Sequence, residues 1–473
     1  VQHGHHGTQK LLQGGEEQAA AALANLASDS AENRRSIVDA GGIRPLLDAL
    51  ERPVTPIKAK ENAVTALTML AHEDMIKRAI IEAGGVPIVA DLLPSATATS
   101  IKELINAGLD TLCSLAARAV SQLCATGSGR APVRAIQLAL AEAGAVSRLA
   151  FMLGSPNNPN PIPEMEANTA AALSGLSRGC PENQDDIAKT GALVQLCALV
   201  RDGSSAVREQ SASALWALCK DNAVNQVMVA KVGGIEYLLE LLVHGESHHS
   251  LDASIGAVTT LCNRDSRARI ARNIVGRLSV AASKMGGVPV VQTALAAQRV
   301  LRAICILSDD SAANQTALAR AGGATASTSW LSDNSGMRLT TVLPQPETQL
   351  AAAQALLALV KHNAAIQALV AKGDEQQRSI PPVVAMLRES GDEARDCAAR
   401  TLWHLASTPS LDHEHAELIA QADALPPLIA MLSRDGGATE LASVVLAHLC
   451  RASPAVCAAL QQADGVEPLV RLA

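Results

Sequence analysis

The chain has 473 residues, of which 48% are hydrophobic but only 1% aromatic. A core of Ala, Leu, Val and Ile suits closely packed helices, because Ala and Leu have high helix propensities, so we expect an all-α protein and neither a β-sandwich nor an α/β enzyme. The net charge of −7 with interspersed signs argues against a nucleic-acid-binding face, and no apolar run approaches the roughly 18 residues of a membrane span.

The first elements along the chain define a three-helix unit. A short helix is predicted from Asn33 to Ala40, and it ends at Gly41-Gly42 because Gly tolerates the left-handed conformation that closes a helix. A second helix has Pro45 in its first turn and apolar residues at helical spacing, namely Ile43, Leu46, Leu47 and Leu50. A third helix, predicted from Ala59 to His72, carries its own apolar stripe of Ala63, Ala66, Leu67 and Leu70.

This unit recurs along nearly the whole chain. One marker leucine identifies each copy: Leu26, Leu70, Leu123, Leu176, Leu218, Leu261, Leu307, Leu359, Leu405 and Leu449. Successive marker leucines are 42 to 53 residues apart, which is too long for ankyrin or tetratricopeptide repeats. A single unit cannot bury both of its apolar stripes, so neighbouring units must stack.

The repeat resembles the armadillo family. The resemblance rests on the Gly41-Gly42-Ile43-x-x-Leu46-Leu47 helix start, the ALANLA stretch over Ala22–Ala27 and the Glu32-Asn33 pair. It implies a right-handed superhelical α-solenoid of about ten three-helix repeats, in which the third helices line a concave groove. The short first helix and the Gly break favour this family over HEAT repeats.

We expect residues 1–473 to form one solenoid. We also expect the chain to be a fragment of a longer protein, because it starts at Val1 and stops within a helical pattern. The first copies lie at 11–93, irregular copies at 94–163 and 264–348, and regular C-terminal copies at 349–473. Residues 101–124 are predicted to form one overlong third helix, and 154–163 a loop. Insertions are predicted at 267–285, 324–348 and 374–380, and Ser327 and Thr328 replace a core leucine pair.

In armadillo import adaptors, the third helix presents a Trp and, four residues later, an Asn that grip a basic peptide. Here one Asn and no Trp stand at these positions, so that function is disfavoured. Trp216 and Trp403 lie one residue before the Asn position, so we expect them to face elsewhere and to be core residues. The candidate partner-binding residues are Asn25, Gln122, Arg302, Arg400, His404 and His448.

A column of carboxylates lies eight residues before the Asn position: Glu17, Glu61, Glu209, Asp252, Asp396 and Glu440. One interpretation is an acidic edge of the groove that steers a basic partner. The other, which we favour, is that each carboxylate lies in the first turn of a helix and complements the helix dipole.

The remaining arginine, histidine and cysteine patterns need no ligand, metal or catalytic site to explain them. Arg269, Arg272 and Arg277 would share one face of an inserted helix, for which we favour solvation over acidic-peptide binding. No His cluster has a second cluster at fixed spacing, so we expect no metal, no cofactor and no catalytic residue. Cys124, Cys219, Cys262 and Cys450 each follow a marker leucine, which indicates buried free thiols and a cytoplasmic or nuclear location.

We therefore predict a non-enzymatic scaffold that binds an extended peptide or a helix of another protein, and binds no nucleic acid. An alternative is the substrate-recognition region of an armadillo-type ubiquitin ligase, and a nuclear-import adaptor ranks below it. The sequence leaves the oligomeric state open.

Overall fold

The computed structural model describes residues 2–94, 100–125, 131–153, 161–245, 247–263, 265–283, 290–309, 311–328, 330–331, 346–372, 379–389, 391–407, 412–433 and 437–472. These residues form thirty α-helices and no β-strand. The chain divides into two compact units. Unit 1 comprises Val1–Leu241 and Gly245–Leu261, and unit 2 comprises Leu242–His244 and Cys262–Ala473.

The first seventeen helices are α1 (Gln2–Asp29), α2 (Ala31–Asp39), α3 (Ile43–Glu51), α4 (Ile57–Leu70), α5 (Asp74–Glu82), α6 (Gly85–Asp91), α7 (Ile101–Asn106), α8 (Asp110–Leu123), α9 (Ala131–Glu142), α10 (Ala145–Met152), α11 (Pro163–Ser177), α12 (Pro181–Lys189), α13 (Ala192–Asp202), α14 (Ser205–Cys219), α15 (Ala223–Lys231), α16 (Gly234–His244) and α17 (His248–Leu261). The third helices of successive repeats in unit 1 pack one on the next, in the order α1, α4, α8, α11, α14 and α17.

The remaining helices are α18 (Arg267–Ser283), α19 (Val290–Ser308), α20 (Ala312–Arg320), α21 (Gly323–Thr328), α22 (Pro346–Val360), α23 (Ala364–Lys372), α24 (Ile380–Glu389), α25 (Asp392–Ala406), α26 (Asp412–Gln421), α27 (Leu425–Met431), α28 (Gly437–Ala452), α29 (Pro454–Gln462) and α30 (Val466–Leu472). In unit 2 the third helices α19, α22, α25 and α28 pack in series. This serial packing of three-helix units confirms the all-α solenoid fold class.

The turn between the first and second helices explains the Gly-Gly pair. Ser30 caps α2 by accepting a hydrogen bond from the Asn33 amide, and Gly41 leaves the helix with a φ of 75°. At Gly42, an added Cβ would lie 2.7 Å from Ile37 Cγ2. The second Gly therefore lets α3 start directly against α2, and α3 buries its predicted stripe of Ile43, Leu46, Leu47 and Leu50.

Amide side chains of the first helices bind the C-terminal carbonyls of the third helices, which have no partner within the helix. Gln137 Nε2 on α9 donates to Gly175 O at 2.7 Å and to Arg178 O at 3.0 Å. On the following first helix, Asn183 Nδ2 donates to Leu176 O at 3.0 Å and to Gln137 O at 3.1 Å. The same bonds to marker leucines recur from Asn33 to Leu26, from Asn225 to Leu218 and from Asn314 to Leu307.

The single overlong helix predicted over 101–124 is wrong. The structure has two helices there, α7 and α8, separated by Ala107, Gly108 and Leu109, and Gly108 has a φ of 66°. The Gly therefore ends α7 in the same way that Gly41 ends α2. Most of the predicted loop at 154–163 lies outside the described residues, but Pro163 begins α11.

The insertion predicted at 267–285 is a packed element rather than a solvated helix. Helix α18 buries Ile270, Ala271, Ile274 and Val275, and it contacts α19, α20 and α21. In the copy with Ser327 and Thr328, both residues are buried beside Trp330 and Leu331. Residues 329 and 332–345 of the 324–348 insertion and 374–378 of the 374–380 insertion lie outside the described residues.

The prediction of four buried thiols is correct for two of them. Cys124 and Cys219 are 1% and 0% exposed, whereas Cys262 and Cys450 are only partly buried. Cys262 lies just beyond the end of α17, as Cys124 does at the end of α8, but its Sγ donates to the side chain of Asn314, with Sγ 3.5 Å from Oδ1.

Candidate partner-binding surface

The third helices of unit 2 expose side chains at equivalent positions, one and five residues before each marker leucine. We call this set the third-helix row. Five residues before the marker, Arg302, Gln354, Arg400 and Val444 are all exposed. One residue before it, Ile306 is 39% exposed and His404 and His448 are half-buried. The structure thus places four of the six predicted partner-binding residues on one row, because the helices that carry them pack in series.

An aromatic cluster on and beside this row joins three repeats. The Trp403 ring centroid lies 4.7 Å from that of His404 and 6.4 Å from that of His448. His404 also meets His362 edge-on, at 5.5 Å between ring centroids. Burial, and then the neighbouring His362 and Lys361, lower the pKa of His404 to about 4, so its imidazole is neutral at pH 7.

The prediction that Trp216 and Trp403 are core residues facing elsewhere is wrong. Trp403 is half-buried and contacts both row histidines, and Trp216 is 39% exposed. The Trp216 ring lies over Gly256 on α17, where an added Cβ would come within 2.5 Å of it. The sequence does carry a signal for this aromatic cluster. His404 and His448 are 44 residues apart, as are their marker leucines, so both histidines occupy the same position of their repeats.

The charges on and beside the row are mainly basic and partly paired. Arg400 lies 3.7 Å from Asp396, and Lys361 lies 3.8 Å from Asp309. Arg451 Nη2 lies 2.8 Å from His448 Nδ1, and because arginine can only donate, that ring nitrogen is the acceptor. Exposed ion pairs of this kind contribute about 0–1 kcal/mol, so these side chains can exchange partners readily.

In unit 1, the two predicted partner-binding residues differ in their surroundings. Asn25 is exposed on α1. Gln122 is half-buried on α8, and its Nε2 donates to Ala71 O at 3.4 Å, so it links the ends of two third helices. The structure therefore leaves only Asn25 of this pair fully accessible.

The preferred explanation of the acidic column is wrong. Of the six carboxylates, only Glu440 lies in the first turn of its helix. Helix α4 begins at Ile57 and not at the predicted Ala59, which moves Glu61 beyond its first turn. Glu61 is buried and pairs with Lys58 at 2.9 Å, and Glu209 accepts a hydrogen bond from Ser247. Glu17 lies in the middle of α1, Asp252 in the second turn of α17, and Asp396 one turn before Arg400. The acidic edge stays a prediction.

Neither a metal site nor a membrane span is found in the part of the chain that the structure describes. There, no group of three or more His, Cys, Asp and Glu residues is placed to hold a metal ion. No single described helix is long and apolar enough to cross a membrane; α9 and α10 reach that length only together, and they bend by 78°.

Comparison with known proteins finds similarity among solved structures only. No protein-family model matches the chain, and no curated protein matches it. An engineered protein solved as a structural-genomics target is 22% identical, with a TM-score of 0.59 over 92% of this chain and 95% of that one. A designed armadillo repeat protein matches 52% of this chain and 92% of its own at a TM-score of 0.43 and 22% identity. Another, in complex with the peptide (KR)4, matches the same shares at a TM-score of 0.41 and 21% identity.

Proposed function

Because the chain is an armadillo-type repeat solenoid, we propose that it is a protein-binding scaffold whose partner binds across the third-helix row of unit 2. The observation that carries the proposal is the recurrence of accessible side chains, including Arg302, Arg400, His404 and His448, at equivalent positions of serially packed helices. Because the row repeats the same positions from helix to helix, it suits a ligand whose own structure repeats along its length. An extended peptide meets that condition.

The dimensions support an extended peptide. Packed helices lie about 8–10 Å apart, and an extended chain advances about 3.3 Å per residue, so each third helix spans about three peptide residues. The four helices α19, α22, α25 and α28 would then hold about ten residues.

The chemistry of the row supports a peptide with acidic and apolar side chains. Arg302, Arg400 and Arg451 are exposed cations, and a carboxylate can replace weak surface partners such as Asp396. The Trp403 ring between His404 and His448 offers an aromatic surface for an apolar side chain.

A selection from a displayed library of random peptides tests this function. We expect the recovered peptides to be rich in Asp and Glu and to bind at least tenfold more weakly to the Arg400→Ala and His404→Ala variants. Gln421→Ala, an exposed change on the first helix α26, is the matched control and should not change the affinity. Peptides that bind all three variants as tightly as the unchanged protein would place binding elsewhere.

The narrower functions stay proposals of lower rank. Recognition of ubiquitination substrates and nuclear import each require a defined partner, and the same row would serve either. We also propose that the protein has no enzymatic activity. From the free thiols we propose that it works in the cytoplasm or nucleus.

A further inference from the structure

A second recurring position binds the C-terminal carbonyls of the second helices. It lies ten residues before the marker leucine, at the start of the third helix. In four repeats its side chain donates to the carbonyl oxygen of an equivalent residue at or just beyond the end of the second-helix segment. The four bonds are Lys60 Nζ to Leu50 O at 2.9 Å, Arg208 Nε to Val200 O at 3.0 Å, Gln349 Nε2 to Leu331 O at 3.5 Å and Arg395 Nε to Leu387 O at 3.0 Å.

In the repeat of α9, α10 and α11, a carboxylate takes this position. Ten residues before Leu176 stands Glu166, and the residue equivalent to Leu50 is Leu153. An ionised carboxylate only accepts hydrogen bonds, so Glu166 cannot make the bond that Lys60, Arg208 and Arg395 make. The Glu166 residue is nevertheless 6% exposed, and no described residue donates to its carboxylate. Burial raises the pKa of this carboxyl group.

Glu166 lines a cavity of about 220 Å³ between α10, α11 and α13. The walls include Leu153, Pro161, Leu199 and Gln195. The Oε1 atom of Gln195 is buried and has no hydrogen-bond partner among the described residues. Among the described residues, neither the Glu166 carboxylate nor Gln195 Oε1 has a donor.

Glu166 is the carboxylate of the cavity that has no described cation beside it. Asp202 also lines the cavity, but it is ion-paired with Arg201 at 2.6 Å, and the hydrogen bond from Arg201 lowers the pKa of the Asp202 carboxyl group. The described lining residues include no Lys, Arg or His, and the sequence of the adjacent segment 154–160 contains none either. A buried carboxylate without a cation or a donor is unfavourable, and a cation with N–H groups would satisfy it.

We propose that this cavity is a binding site for an alkylammonium or guanidinium group, which takes the place that Lys60, Arg208 and Arg395 occupy in their own repeats. The bound cation donates to Glu166 and to the carbonyl of Leu153, while its alkyl chain contacts Leu199 and the prolines. Such a group comes either from a free amine or from a Lys or Arg side chain of a bound protein. Both sources share the same chemistry.

Calorimetric titration with n-butylamine at pH 7, with 1-butanol as the neutral probe, tests the site. We expect saturable binding of butylammonium and none of butanol at the same concentration. Glu166→Gln should weaken binding at least tenfold without unfolding the protein, because Gln349 shows that Gln is accepted at this position. Glu164→Gln, an exposed change in the same first turn of α11, is the control and should leave binding unchanged.

A second variant supplies the cation within the chain. Glu166→Lys recreates the arrangement of Lys60, so we expect it to raise the midpoint of thermal unfolding and to abolish butylammonium binding. Equal binding of amine and alcohol, or unchanged amine binding by Glu166→Gln and Glu166→Lys, would overturn the proposal.

Two peptides distinguish the sources of the cation. Ac-Gly-Lys-Gly-NH2 should bind more tightly than butylammonium if the natural ligand is a protein side chain, and its acetyl-lysine counterpart should not bind. Binding of butylammonium with exclusion of the lysine peptide would assign the site to free amines. The cavity belongs to unit 1 and the third-helix row to unit 2, so failure of this experiment leaves the proposed function standing.

Discussion

The side-chain amide of Asn183 donates to the carbonyl oxygen of Leu176, seven residues earlier, at 3.0 Å. Leu176 lies in the last turn of a third helix, and Asn183 lies on the first helix of the next repeat. The same amide donates to Gln137 O at 3.1 Å, on the preceding first helix. One buried side chain therefore holds three helices of two repeats together.

Replacing Asn183 with Leu should lower the free energy of unfolding by about 1–3 kcal/mol, because two buried carbonyl oxygens lose their donor. Denaturation in urea measures the change. Asn33→Leu is the matched control, since Asn33 makes the same bond to Leu26 O at 3.1 Å but is half-exposed, so water can replace it. If Asn33→Leu lowered the free energy of unfolding as much as Asn183→Leu, this explanation would be contradicted.

The cysteines should react with iodoacetamide in the order of their exposure. We expect Cys457, which is exposed, to react first, and the partly buried Cys262 and Cys450 to follow. Cys124 should react only after unfolding, because it is buried and burial raises its pKa to about 12, which leaves almost no thiolate at pH 8. Mass spectrometry of timed samples gives the order, and early labelling of Cys124 in the folded protein would contradict it.

The stability of the protein should fall as the pH decreases from 6.5 to 4, in part because of His404. Its pKa is about 4 in the folded chain against 6.5 when unfolded, so over this range the unfolded chain binds more protons and is favoured. His404→Gln should reduce the loss by about 1–3 kcal/mol, allowing for partial solvent exposure. Urea denaturation at pH 6.5 and pH 4.5 gives the unfolding free energies of the unchanged protein and of the His404→Gln variant. If both lost the same stability between these pH values, His404 would titrate normally.

Gly256 should be far less tolerant of a methyl group than Gly276. At Gly276, in α18, an added Cβ meets nothing within 4 Å, so Gly276→Ala should stabilise the protein by about 0.5–1 kcal/mol. At Gly256 the same atom would lie 2.5 Å from the Trp216 ring. Gly256→Ala should therefore displace the indole, and the stabilisation expected at Gly276 should not be seen at Gly256. Unfolding free energies and the quenching of Trp emission by acrylamide measure the two effects, and equal stabilisation by both changes would contradict the packing of Trp216.

The sequence predicted the features that depend on local chemistry and on apolar periodicity. Gly41 and the buried stripe of α3 are examples, because left-handed closure and helical spacing are properties of a short segment. The packing of α18 was mispredicted, because its arginines obscured the apolar face formed by Ile270 and Ile274. The bonds of Asn183 and the environment of Glu166 could not be predicted, since each depends on residues from other helices that folding brings together.

The acceptors of the Asn and Gln side chains are main-chain carbonyls, and this has a consequence for how such a chain can change. Asn183, Asn225 and Asn314 bind the carbonyls of Leu176, Leu218 and Leu307 in the preceding repeat, so the residue that accepts can vary while the bond persists. No compensating substitution is needed in the neighbouring repeat. At the junctions that carry such an amide, a repeat could thus be duplicated or exchanged during evolution without loss of this bond, because any neighbour's backbone supplies the accepting carbonyl.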